Sequence, residues 1–231
     1  MPKIQRKVTF KTGNIRLAGT LKEQAYNMIR DAILRGDFPP GKIVSNQKLS
    51  QWLGISHTPI REALIELQQN RMVIIHRGKG TEIAPLSGKD VLEIFEMREA
   101  LEAKTHELAI DRVNNAQLKE LEELFDDQIE QFKNKRKIEF LDIDRQFHLL
   151  IAKAAQNERI YTAIESLRDQ FVFFGNYALS STNRMSEVIE EHKYILDALK
   201  KKDKTDILLA IRRHLKASYG ETFKWTSRQG Q

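Results

Sequence analysis

The feature that most constrains the fold is the helical periodicity that begins near Lys89 and continues almost to the end of the chain. Apolar residues recur there at spacings of three and four, and no segment shows the alternation that is typical of a strand. The pattern is interrupted near residues 113–115, 134–137, 156–157, 178–183 and 201–204. It therefore predicts about six helices that bury their apolar stripes against one another in an all-α bundle.

The residues before this bundle show a different order of elements. One helix is predicted from Leu21 to the segment "FPPG", a second over 46–53, and a third after Ser56 or Thr58, both of which are suitable N-caps. After the third helix the periodicity changes, and the stretch "MVIIHRGKGTEIAP" predicts a β-hairpin whose two strands are joined by a basic, glycine-rich tip. Three helices with a tight glycine turn and a basic β-hairpin form the outline of a winged helix-turn-helix.

We therefore predict a mainly α protein with two domains. A winged helix-turn-helix with a small β-hairpin wing occupies residues 19–85, the helical domain occupies 86–231, and a basic arm occupies 1–18. Residues 1–85 carry 14 Lys and Arg against 6 Asp and Glu, whereas residues 86–231 carry 24 against 26. Net charges of +8 and −2 follow from these counts. A basic front half favours a polyanionic partner such as nucleic acid.

Composition excludes several classes of protein. The chain has no cysteine, which removes disulfides and thiolate zinc sites and suits a reducing compartment. Its first residues lack the apolar core of a signal peptide, and no stretch approaches the roughly 20 apolar residues of a membrane span. We expect a cytoplasmic protein.

The predicted third helix and the hairpin tip carry side chains suited to DNA. The start of that helix can enter a major groove and offer donors to base edges and phosphates, and the glycines of the hairpin permit close approach to the backbone. Each basic residue taken alone is also compatible with an ordinary solvated surface. The predicted DNA-binding residues are Gln47, Lys48, Ser56, His57, Thr58, Arg61, Arg77, Lys79 and Gly80.

The segments "GDFPPG" and "LGISHTPIREAL", followed by the wing glycine Gly80, resemble the DNA-binding domain of the GntR family of bacterial transcriptional regulators. The sequence departs from the family pattern at His57, where arginine is usual, and at Asn46 and Gln47, where an acidic and another polar residue are common. Arginine can bind a guanine through two hydrogen bonds, whereas a neutral imidazole offers one donor and one acceptor. The operator sequence therefore cannot be transferred from relatives with arginine at this position.

Three predicted bundle helices each place a histidine within the apolar stripe. These residues are His148, His192 and His214, and Asp144 lies one turn before the first of them. A single inward histidine is usually a hydrogen-bonded core residue, so independent core histidines remain an alternative. Three histidines and a carboxylate in one bundle are nonetheless a typical ligand set for Zn²⁺, Ni²⁺, Mn²⁺ or Fe²⁺. His106 lies toward the edge of its helix and is assigned no role.

The helical half, over residues 88–220, resembles the FCD-type effector domain of the FadR subfamily, a bundle of six or seven helices. Many members bind a metal through one Asp and three His, and the resemblance assigns those roles to Asp144, His148, His192 and His214. It also implies a small carboxylate effector at the open metal positions. Arg98 lies on an apolar stripe and is its natural partner, although an internal ion pair is an alternative. Arg168 and Asn176 are weaker effector-binding candidates.

Together these observations predict a ligand-responsive transcriptional regulator rather than an enzyme. We expect a homodimer that reads a palindromic operator, and repression is the default within the resembled family. One alternative is a metal-dependent enzyme fused to a DNA-binding domain, because such a metal site with open positions can be catalytic. Another is a regulator in which the metal is purely structural or is itself the signal.

Overall fold

The computed structural model describes residues 19–85, 87–179 and 182–229, except for the side chains of Arg168, Thr182 and Gln229. The predicted basic arm, residues 1–18, lies outside this range. The chain divides after Pro85 into two compact units. The elements of the first unit are α1 (Leu21–Leu34), β1 (Ile43–Val44), α2 (Asn46–Leu53), α3 (His57–Gln69), β2 (Val73–His76) and β3 (Gly80–Ile83).

The first unit is a winged helix-turn-helix, as the sequence predicts. Helix α2 begins at Ser45, whose side chain accepts a hydrogen bond from the Lys48 amide, and ends at Gly54 in the left-handed conformation with φ +69°. Ser56 is the N-cap of α3, without a side-chain capping bond. Apolar faces of the three helices, including fully buried Ile33 and Leu67, form the core that fixes the angle between α2 and α3.

The wing has one strand more than the sequence predicted. Strands β2 and β3 form the expected antiparallel hairpin, and β1 pairs with the other edge of β3, in the order β1-β3-β2. A two-residue strand is too short to show the alternation by which strands are predicted. Gly80 has φ +111°, and a Cβ at this position would lie 2.9 Å from the Val44 carbonyl oxygen. A glycine is therefore required where β3 passes β1.

The second unit is an all-α bundle, and its helix boundaries fall within the breaks of the sequence pattern. Capping boxes start α4 at Ser87 and α5 at Asn114. The described helices are α4 (Gly88–Arg112), α5 (Asn115–Lys133), α6 (Lys137–Ala154), α7 (Glu158–Ala178), α8 (Thr182–Lys201) and α9 (Lys204–Gln229).

A continuous apolar core, drawn from α4, α5, α6, α8 and α9, holds these helices together at one end of the bundle. Phe147 of α6 and Ile195 of α8 are among its fully buried members. His148 and His192 are close to them in sequence on the same two helices, so their positions are fixed by rigid, well-packed elements. None of the helices in the described part of the chain is both long and apolar enough to cross a membrane.

Candidate metal centre and nucleic-acid interface

Asp144, His148, His192 and His214 lie together inside the bundle. Each offers one ligand atom, and these atoms all lie within 4.8 Å of one another. Asp144 and His148 are one turn apart on α6, while α8 and α9 each supply one histidine. The structure thus brings together all four residues that the sequence analysis selected as ligands; their binding of a metal remains a prediction.

The imidazoles lie in a site that a metal ion would complete. His192 is fully buried, and His148 and His214 are 8% and 2% exposed. The Nε2 atoms of His148 and His192 have no hydrogen-bond partner among the described residues. An unsatisfied buried nitrogen costs roughly 1–3 kcal/mol, so independent core histidines explain this arrangement poorly. The residues fit a cation held by imidazole and carboxylate ligands.

Each histidine has a polar residue from another part of the bundle beside its other ring nitrogen. Gln128 Oε1 lies 2.7 Å from His192 Nδ1, and Glu191 Oε2 lies 2.8 Å from His214 Nδ1. Glu102 Oε2 is 3.3 Å from His148 Nδ1, without hydrogen-bond geometry. Acceptors at Nδ1 favour the tautomer that carries its proton there and leaves the Nε2 lone pair for a metal.

Burial sets the protonation of the cluster. It lowers the pKa of His148 and His192 well below the ordinary histidine value, and the nearby basic side chains, including the guanidinium groups of Arg98 and Arg184, add to this effect. Both rings are therefore neutral near pH 7, which is the form that binds a metal. Burial raises the pKa of Asp144, because the ionised carboxylate is disfavoured away from water. A bound cation would offset this cost and stabilise the ionised form.

Glu191, the carboxylate beside His214, also belongs to a buried hydrogen-bond network with Arg184. Arg184 is 1% exposed and donates to both carboxylate oxygens of Glu191, at 2.7 and 2.6 Å, and to Ser218 Oγ at 3.1 Å. Burial opposes ionisation of Glu191, but hydrogen bonds from His214 and Arg184 hold its pKa below the ordinary value. The carboxylate that orients His214 is thus kept ionised by a buried guanidinium.

Arg98 forms the internal ion pair, which is one of the two alternatives left open by the sequence, and its binding of an effector stays a prediction. Its Nε donates to Glu102 Oε1 at 2.7 Å, so an internal ion pair exists. The guanidinium also lies 5.3 and 5.0 Å from the ring centroids of Phe95 and Phe171. No hydrogen bond satisfies its terminal nitrogens within the described residues. Arg98, Asp144 and His148 line one cavity of about 50 Å³, with room for a small molecule.

The other two effector candidates are less well placed. The side chain of Arg168 lies outside the described residues. Asn176 is buried, and its Oδ1 has no hydrogen-bond partner in the described part of the chain, but the residue does not line this cavity. His106, which the sequence placed toward a helix edge, is 1% exposed. Its Nδ1 lies 2.7 Å from the Glu102 carbonyl oxygen, so it packs beside the site.

Most of the predicted DNA-binding residues are exposed on α2, the start of α3 and the wing. Gly80 is the exception, because it is only partly exposed. The close approach of β3 to β1 is sufficient to explain a glycine at this position. His76, next to the hairpin tip, is paired with Glu82 at 2.6 Å. The exposed set is Gln47, Lys48, Ser56, His57, Thr58, Arg61, Arg77 and Lys79.

A winged helix-turn-helix followed by an all-helical domain with a small cavity is an arrangement typical of a ligand-responsive transcriptional regulator. The family model "Bacterial regulatory proteins, gntR family" matches residues 21–83, and the "FCD domain" matches residues 93–217, more than half of the chain. The chain belongs to the GntR family of transcriptional regulators and carries an FCD domain.

Relatives of known sequence and structure agree with this assignment. The chain is 28% identical to the HTH-type transcriptional regulator YdhC of Bacillus subtilis, over 85% of this chain and 86% of that protein. It is 24% identical to the HTH-type transcriptional repressor RspR of Escherichia coli, over 84% and 86%. The solved structure of E. coli McbR/YncC superposes with a TM-score of 0.77 at 22% identity, covering 89% of this chain and 98% of that chain. YdhC and RspR are named as a transcriptional regulator and a transcriptional repressor, which argues against the fused-enzyme alternative.

Gln128 provides a first test of the histidine partners. Changing it to alanine is expected to lower metal affinity by about 10–100-fold, because His192 loses the acceptor that orients its ring. Competition with a metal-binding dye measures this affinity. Gln131→Ala, on the same helix, serves as the control. Unchanged affinity in Gln128→Ala would show that the contact has no part in metal binding.

Proposed function

We propose that this protein is a homodimeric repressor whose binding to a palindromic operator is controlled by a small carboxylate held beside a metal ion. One observation carries the proposal: the cluster of one carboxylate and three imidazoles adjoins the cavity that Arg98 lines, and two of its buried Nε2 atoms have no hydrogen-bond partner among the described residues. Asp144, His148 and His214 line this cavity, and His192 lies beside them. A purely structural cluster would not need a cavity lined by a guanidinium whose terminal nitrogens have no hydrogen bond among the described residues.

Four residues would hold the ion: Asp144, His148, His192 and His214. Zn²⁺, Ni²⁺, Mn²⁺ and Fe²⁺ all suit this ligand set. When bound, the ion would supply positive charge and open coordination positions for an anionic ligand. Arg98 would donate its terminal N–H groups to the same ligand, while Glu102 and the two phenylalanine rings hold the guanidinium in place.

Two copies of the winged unit are proposed to read the two halves of an operator. One recognition helix covers only a short half-site, so a two-fold dimer gains specificity from two of them. The effector changes operator affinity through its different affinity for the two states of the dimer. The relative RspR is named as a repressor, which supports repression as the default.

Arg61 tests the proposed DNA interface. Arg61→Ala is expected to weaken operator binding by about 1–3 kcal/mol, because the exposed guanidinium near the start of α3 would contact a base edge or a phosphate. Fluorescence anisotropy at fixed salt, with DNA selected from a random pool, measures this loss. Arg35→Ala removes the same charge from another exposed site of this unit, and the operator affinity of this control should remain close to the parent's. Equal affinities for both variants would refute the role of Arg61.

The proposed regulation is tested with the same selected DNA. Metal-loaded protein is titrated with simple carboxylates, and operator affinity is followed by anisotropy. We expect at least one acid to change the affinity of the parent and to have no effect on Arg98→Ala. Regulation by the metal alone, with no acid having an effect, would instead support the alternative in which the metal is the signal.

A further inference from the structure

The carboxylate of Glu102 lies between Arg98 and the proposed metal ligand His148. Glu102 is 3% exposed, and its Oε1 accepts a hydrogen bond from Arg98 Nε at 2.7 Å. Its other oxygen, Oε2, is 3.3 Å from His148 Nδ1, but this contact lacks hydrogen-bond geometry. Both of these atoms are buried and have no hydrogen bond among the described residues. One carboxylate is therefore within reach of two groups and is hydrogen-bonded to only one of them.

The contact at His148 differs from those at the other two imidazoles of the cluster. There, Nδ1 lies 2.7 or 2.8 Å from the oxygen of its partner, and the hydrogen bond is formed. Leaving buried polar atoms unbonded is unfavourable, so the gap between Glu102 and His148 needs a cause. The charge-assisted hydrogen bond to Arg98 supplies one, because it holds the carboxylate toward the guanidinium.

His148 needs an acceptor at Nδ1 when its Nε2 binds a metal. The ring proton is then on Nδ1, the atom that lies 3.3 Å from Glu102 Oε2. An N–H group polarised by a cation is a stronger donor, and a carboxylate is a strong acceptor for it. Closing this contact would fix the orientation of the ring, which raises the affinity of a metal site. The bond that Glu102 makes to Arg98 opposes this closure.

Arg98 can engage a partner other than Glu102. Both residues line the cavity, and the terminal nitrogens of Arg98 have no hydrogen bond within the described part of the chain. An anion bound to those nitrogens would share the positive charge with Glu102 and weaken the hydrogen bond between the two residues. The carboxylate would then be free to move toward His148.

We propose that Glu102 is a positioning residue shared between Arg98 and His148, and that it couples the guanidinium to metal affinity. Arg98 restrains metal binding through Glu102, and an anion that engages Arg98 removes the restraint. By thermodynamic linkage, metal binding then favours the engagement of Arg98 by the anion to the same degree. This inference rests on the proposed function for the four metal ligands, and it adds the contact through which the two ends of that site are coupled.

A double-mutant cycle on the full-length protein tests the coupling, with Zn²⁺ affinity measured by competition with a metal-binding dye. Glu102→Gln is expected to lower the affinity about tenfold or more, because a neutral amide is a weaker acceptor for the imidazole. Arg98→Met is expected to raise it about tenfold or more, because the carboxylate is released toward His148. In the Glu102→Gln background, Arg98→Met should change the affinity by less than about threefold.

The size of the Arg98→Met effect in the two backgrounds decides the outcome. Direct repulsion between the guanidinium and the cation would act equally with and without the carboxylate. An equal rise in both backgrounds, or no rise in the parent, would therefore overturn the inference. The exposed pair of Glu99 on α4 and Arg212 on α9, 3.7 Å apart, is the matched control. Glu99→Gln and Arg212→Met should each leave the Zn²⁺ affinity close to the parent's and show no coupling.

A second measurement does not require Arg98 to be replaced. In the Zn²⁺-loaded parent with isotope-labelled histidine, we expect the Nδ1–H proton of His148 to be shifted downfield by its hydrogen bond to a carboxylate. This resonance should move upfield in Glu102→Gln, and an unchanged position would overturn the inference. A parent that binds no Zn²⁺ would overturn the proposed function together with this inference. A parent that binds Zn²⁺ while the two substitutions act additively would overturn this inference alone.

Discussion

Replacing His192 with alanine is expected to lower metal affinity by more than about 100-fold, beyond the 10–100-fold that loss of a hydrogen-bonding partner of a ligand typically costs. His192 is fully buried, and its Nε2 lies 3.4 Å from Asp144 Oδ1 within the proposed ligand cluster. Removing the ring leaves only three of four protein donors. Metal analysis of variants dialysed against the same free ion concentration measures the effect.

The same variant separates metal binding from folding. A metal that binds only the folded state stabilises it by about 2.7 kcal/mol when its free concentration is about 100 times Kd. Chelator should therefore lower the melting temperature of the parent and leave that of His192→Ala nearly unchanged. His57→Ala removes an exposed histidine of α3 and should respond to chelator like the parent. Full metal retention by His192→Ala would exclude this histidine as a ligand.

Arg184→Met is expected to destabilise the protein by about 3–5 kcal/mol, because it leaves the Glu191 carboxylate buried without its main partner. Arg184 is 1% exposed and makes two short hydrogen bonds to Glu191. Urea unfolding of the metal-free protein measures the change without a contribution from metal binding.

Arg212→Met is the control for the loss of a positive charge. Arg212 lies on α9, is 61% exposed, and is 3.7 Å from an equally exposed Glu99. Exposed pairs of this kind contribute about 0–1 kcal/mol, so this variant should unfold close to the parent. A similarly small effect for Arg184→Met would mean that Glu191 becomes protonated or rearranges at little cost.

The ligand cluster was predictable because it depends on helical period. Asp144 and His148 are four residues apart, and His192 and His214 each lie within a regular apolar stripe, so the sequence places each side chain on the buried face of its helix. The boundaries of α4 to α9 were predictable for the same reason, since the pattern breaks where the helices end.

The partners of the histidines were less accessible to sequence analysis. Gln128 lies 64 positions before His192, on a helix with few other buried residues, and nothing in its local pattern marks it. The sequence contains only weak indications of the roles of Glu102 and Glu191. Glu102 is four residues after Arg98, a spacing that allows an ion pair on one helix, and Glu191 directly precedes His192. Which acid faces which ring depends on how the helices pack. His106 was misplaced because α4 is covered on more of its surface than a single apolar stripe implies.

Native mass spectrometry of the untagged protein, purified without chelator, tests the central claim most directly. We expect each chain of the dimer to carry one divalent transition-metal ion, and this added mass to be absent from His192→Ala. A parent protein with the bare chain mass, which also gains no mass and no thermal stability from added Zn²⁺, Ni²⁺ or Mn²⁺, would contradict the account. Asp144, His148, His192 and His214 would then be core residues, and the cavity beside Arg98 would have no metal-dependent ligand.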